Sequence, residues 1–109
     1  MGSAQLAVEN YAKAVIAYFR VPSWSHDPSG ELLSLLGSIP ADAQREAAEL
    51  ADIAKTLAPE HGRATYGEPE RGLLPWEVYT RSDAERALEL ARAASRLTAL
   101  ILSKLGIDP

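Results

Sequence analysis

An all-α fold, an antiparallel up-and-down helical bundle, is what this 109-residue sequence predicts. Three observations carry the prediction. Ala and Leu dominate while Gly occurs only 7 times, a bias that favours helices. Apolar residues recur at helical spacing in several segments. Pro and Gly punctuate those segments, with Pro22, Gly37, Pro59 and Gly106 at their ends. The length bounds the chain to one domain, residues 1–109, and is enough to bury a core without staples.

The first helix is expected over 3–20, with Ser3 as a plausible N-cap. Ala7, Val8, Tyr11, Ala14, Val15 and Tyr18 define its apolar face, with Phe19 at the edge. Glu9, Lys13 and Arg20 fall on the opposite side, Glu9 and Lys13 in the favourable i,i+4 order. Pro22 ends the helix. Asp27-Pro28 then opens a short Leu-rich helix over 29–36, Asp27 capping it and Gly37 closing it. Pro40 begins a third helix, to about residue 58. Ala43, Ala47, Leu50, Ala51, Ile53, Ala54 and Leu57 lie on one side, with Asp42, Arg45, Glu46, Glu49, Asp52 and Lys55 on the other.

Residues 59–79 have no clean period and are rich in Pro, Gly and aromatics. A stretch this long in a compact domain is expected to be an ordered loop, and Tyr66, Trp76 and Tyr79 are read as packing it onto the bundle. The last helix starts at a Thr80 or Ser82 cap and ends at Gly106. Its stripe is Ala84, Ala87, Leu88, Ala91, Ala94, Thr98, Ile101, Leu102 and Leu105, widened by Leu90, Leu97 and Leu100.

Composition excludes several function classes. There is no cysteine, hence no disulfide framework and no thiolate metal site. The two histidines, His26 and His61, lack well-spaced acidic partners, so no metal or other cofactor is expected. The formal net charge is −4 and no Lys/Arg run occurs, which argues against a strong grip on nucleic acid. No segment reads as a membrane span or a signal peptide, so a cytoplasmic protein is expected.

Three pieces in order resemble the HEPN (higher-eukaryote-and-prokaryote nucleotide-binding) family. They are the helix with Gln5 and Glu9-Asn10-Tyr11-Ala12-Lys13-Ala14; His26-Asp27 before Glu31-Leu32-Leu33-Ser34-Leu35-Leu36; and Arg63-Ala64-Thr65-Tyr66-Gly67 followed by Tyr79-Thr80-Arg81-Ser82-Asp83-Ala84. Asn10 stands where a Lys is common and Gly67 where the loop often has Pro. The resemblance implies a helical bundle whose usual first long helix is absent here. It also implies a non-catalytic nucleotide-binding or interaction module, acting with a small nucleotidyltransferase in a toxin-antitoxin-like pair.

The candidate residues each carry a second reading. Arg63 can clamp a phosphate while Tyr66 stacks on a base; equally, they can tie down and plug the loop. Lys13 and Glu9 can contact a ligand, but read first as a surface ion pair. Arg20 and His26 have the spacing of the Arg-x(4–6)-His element of ribonuclease HEPN proteins, where Arg orients phosphate and His moves a proton. That element is expected in later helices, so His26 is read as capping or packing at a helix start, with a metal-independent ribonuclease as the alternative. Trp24 and Trp76 are read as packing on helix ends, with interface anchors as the alternative. A structural oligomerisation domain is a third reading. The broad apolar faces of the first and last helices, uncovered by a further helix, predict a homodimer built on those two helices.

Overall fold

The structure, a computed structural model, describes residues 2–59 and 81–107. Four α-helices account for most of them: α1 (Gly2–Phe19), α2 (Ser29–Ser34), α3 (Gln44–Leu57) and α4 (Arg81–Lys104). Among the described residues there is no strand, and the fold is an all-α bundle. Helix α4 packs against both α1 and α3, while α2 closes against α3 and α1. Lys104 at the end of α4 pairs with Asp42 just before α3, Nζ to Oδ2 3.0 Å, so α3 and α4 run antiparallel. Among the described residues no helix is long and apolar enough to cross a membrane. The expected ordered loop, with Tyr66, Trp76 and Tyr79, lies outside the described residues.

The face of α1 differs from the expected one. The buried positions are Gln5, Val8, Glu9, Ala12, Val15 and Ile16, an i, i+3, i+4 ladder. Ala14 and Tyr18 are exposed, and Glu9, expected on the outside, is only 5% exposed. The apolar pattern misled because two polar residues, Gln5 and Glu9, occupy the inner stripe, where Gln5 Nε2 donates to Glu9 Oε1. Ser3 lies within the helix rather than at its cap, since α1 begins at Gly2.

Asp27 does organise the entry to α2: its Oδ1 accepts the Ser29 N–H at 3.0 Å, and Pro28 takes the cap position. The helix is shorter than expected. Ser34 Oγ donates back to the Glu31 carbonyl and Leu35 N–H reaches Leu32, so the chain tightens into a 3₁₀ turn, Leu36–Ser38, before Gly37 can close an α-helix. A second 3₁₀ turn, Ala41–Ala43, follows Pro40 and delays α3 to Gln44, whose side-chain amide donates to the Ile39 carbonyl and pins the entry. The buried side of α3 is Ala47, Leu50, Ala51, Ala54 and Leu57, as its period predicts.

Helix α4 buries Ala87, Ala94, Thr98 and Ile101, mostly small side chains that allow close approach to α1 and α3. Leu88, expected in the stripe, is 47% exposed because it lies about 110° around the helix from the centre of that stripe. The C-terminus is a Schellman motif. Gly106 has φ 90°, its N–H donates to Ser103, and the Ile107 N–H donates to Leu102. Trp24, expected to pack on a helix end, is 97% exposed. The connecting loop is held by its own hydrogen bonds, Ser25 N–H to Ser23 Oγ and Asp27 N–H to Ser25 Oγ, and these fix a backbone from which Trp24 projects outward.

Thr98 carries a hydroxyl that is buried without a hydrogen-bond partner. Thr98→Val keeps the shape and removes that cost, and is expected to stabilise the fold by about 1 kcal/mol. Ile101→Ala, at a fully buried position, is expected to cost about 2–5 kcal/mol. Urea denaturation of the two variants checks both signs.

Candidate functional site

The polar residues that α1 turns inward meet the loop between α1 and α2. Helical spacing puts Gln5, Glu9 and Lys13 one turn apart on one face. The loop brings His26 to the same carboxylate from 17 residues away. Glu9 Oε1 accepts from Gln5 Nε2 at 3.0 Å and contacts His26 Nδ1 at 3.0 Å, while Lys13 Nζ donates to Oε2 at 3.0 Å. Burial pushes the Glu9 carboxyl up, but the hydrogen bonds from Lys13, His26 and Gln5, with the charge of Lys13, outweigh it and hold the group below its usual 4.5. An ionised carboxylate only accepts, so the shared proton resides on His26 Nδ1 and the ring is held in one orientation.

A second carboxylate organises the neighbouring turn. Glu31 on α2 accepts the Ser23 N–H at 3.2 Å through Oε1, and its Oε2 lies 3.5 Å from Arg20 Nε. Arg20 and His26 are therefore each held by a different carboxylate, Glu31 for the first and Glu9 for the second. Glu9, Lys13 and His26 come together in one cluster; Arg20 stands in the adjoining one. Arg63 and Tyr66 lie outside the described residues. Sequence reasoning missed Gln5 and Glu31 as positioning groups. The signal for Gln5 was its i,i+4 spacing to Glu9; for Glu31 there was none, because its partners depend on the path of the loop.

Glu9 already holds three donors, Gln5, His26 and Lys13, so its role in the cluster is to orient them. Lys13 spends one of its three N–H groups on Glu9. Among the described residues no three His, Cys, Asp or Glu side chains gather as a metal would need.

The sequence profile of the HEPN domain matches residues 1–101. The chain belongs to the HEPN family. Membership makes it a nucleotide-related or ribonuclease-like module in general terms. No curated protein and no solved structure matches it. In this HEPN domain the Gln/Glu/Lys helix and the His-Asp helix start, separate in sequence, share one carboxylate.

A depressed carboxyl contributes stability that is present above its unfolded value and is lost as pH falls through the folded one. Acidification from about 4.5 downward is therefore expected to remove a contribution that Glu9→Gln lacks at every pH. At neutral pH, Glu9→Gln is expected to cost about 1–3 kcal/mol, because the amide has no charge and offers one acceptor oxygen where three donors shared two. Thermal melts of both proteins from pH 7 to 3 should converge at the acid end.

Proposed function

We propose that this HEPN domain is a non-catalytic nucleotide-binding module. In this reading it is the HEPN half of a toxin-antitoxin-like pair with a small nucleotidyltransferase and works in the cytoplasm. The observation that carries the reading is the shared Glu9 carboxylate, which sets Lys13 and His26 side by side at the α1–α2 end of the bundle. Such an arrangement suits a phosphate: Lys13 retains N–H donors, and an oriented side chain loses less entropy on binding. Arg63 supplies a bidentate phosphate contact and Tyr66 a base-stacking surface in the same reading. The acidic overall balance favours a small ligand over a long phosphate backbone.

A second reading has one specific observation in its favour. A carboxylate that orients an imidazole is the arrangement an acid–base catalyst uses, so Glu9 and His26 fit a metal-independent ribonuclease with Arg20 on the phosphate. Against it, the Arg20 guanidinium is directed at Glu31, a different carboxylate from the one that holds His26.

Calorimetric titration with ATP, GTP and short oligonucleotides tests the first reading. Binding is expected for at least one nucleotide, about tenfold or more weaker in Arg63→Ala and in Lys13→Ala, a loss of roughly 1.4 kcal/mol or more. Binding unchanged in both variants would put the site elsewhere. Incubation with structured and single-stranded RNA is expected to leave the RNA intact; cleavage that disappears in His26→Ala would establish the ribonuclease reading instead. A gene for a small nucleotidyltransferase beside this one, and co-purification of its product, would support the pairing.

A further inference from the structure

Among the described residues Trp24 is the most exposed large apolar side chain. An indole left in water forgoes the burial that a Trp ordinarily contributes, so its place on the surface calls for a physical reason. The backbone beneath it is fastened on both sides. Ser23 N–H donates to Glu31 Oε1 at 3.2 Å, and His26 Nδ1 meets Glu9 Oε1 at 3.0 Å. Ser25 Oγ accepts the Asp27 N–H at 3.0 Å and donates to the Asp27 carbonyl at 3.2 Å. The indole thus stands on a prearranged loop, and only its own two side-chain torsions need be fixed when something covers it.

The surroundings decide what suits it. Ser23, Ser25, His26 and Asp27 are all exposed and polar. Trp24 is therefore a single flat π-face among hydrophilic groups, whereas the anchor of a protein interface is ringed by contacts that exclude water. His26 follows two residues later, its α-carbon within about 7 Å along the chain, and Lys13 shares the Glu9 carboxylate with it. An aromatic face beside a cation matches a nucleobase joined to a phosphate.

We infer that Trp24 is the base-stacking platform of the nucleotide site and makes that site selective for purines. The inference rests on the nucleotide-binding reading and adds the part of the ligand that Lys13 does not touch. The base lies on the indole while the phosphate meets Lys13. Purines present the larger ring face and stack more strongly than pyrimidines. Adenine and guanine are told apart only weakly, because the hydroxyls beside the indole are already engaged. Ser23 Oγ accepts the Ser25 N–H at 3.3 Å, and Ser25 Oγ is held by Asp27.

Calorimetric titration of ATP, GTP, CTP and UTP into the parent protein, Trp24→Ala and Trp24→Phe tests this. The parent is expected to bind the two purine nucleotides several-fold more tightly than the two pyrimidine ones. Trp24→Ala is expected to weaken ATP and GTP about tenfold and CTP and UTP less, so that the four converge, while helical circular dichroism stays at the parent level. Trp24→Phe keeps a π-face and is expected to retain the purine preference. In Trp76→Phe protein, where Trp24 is the one remaining indole, ATP is expected to quench the emission. Nucleotide binding unaltered in Trp24→Ala overturns the inference, leaves the nucleotide-binding reading standing and turns Trp24 to a protein contact. Equal weakening of all four nucleotides overturns it too, since Trp24 would then shape the loop rather than meet the base. A parent protein that binds none of the four removes the nucleotide-binding reading itself, and this inference with it.

Discussion

A single carboxylate, Glu9, is the constraint around which one end of this bundle is arranged. It lies on the buried stripe of α1, where an unpaired charge would be expelled or neutralised. Gln5, Lys13 and His26 prevent that by giving it three partners at 3.0 Å. Two of those partners come from its own helix and one from the following loop. The carboxylate thus fastens the α1–α2 connection to α1, and α2 is carried into place against α3. The same contacts that make the burial tolerable also orient Lys13 and His26.

Glu31 acts in the same way on the neighbouring turn. It ties the Ser23 backbone and Arg20 together, so that the exit of α1 and the start of α2 share a carboxylate. Between these two anchors the loop has little freedom, and Trp24 is held outside. The remainder of the bundle depends on small side chains. Ala47, Ala51 and Ala54 on α3 and Ala87 and Ala94 on α4 bring helix backbones close. That closeness leaves Leu97 and Leu100 at the margin, where they line the α3–α4 groove.

Membership of the HEPN family and the geometry of the cluster bear on function in different ways. The family narrows the class of chemistry to nucleotides or RNA. The cluster adds which side chains are oriented and by what. Within it, Glu9 is an organiser, because three donors share its two oxygens, and Lys13 and His26 are what it presents.

Much was legible in the sequence. The helical class, the buried side of α3, the Asp27 contact that starts α2 and the Gly106 stop of α4 all follow from local rules: helical period, capping chemistry and the freedom of glycine at positive φ. These depend on residues within a few positions of one another, so the sequence by itself determined them. The inward face of α1, the exposure of Trp24 and Leu88, and the shortening of α2 by a 3₁₀ turn were decided only by the tertiary structure. The reason is that a polar residue can occupy a core stripe when a distant one completes its hydrogen bonds. Period alone scores Glu9 as a surface residue; His26, 17 positions away, is what makes it an interior one.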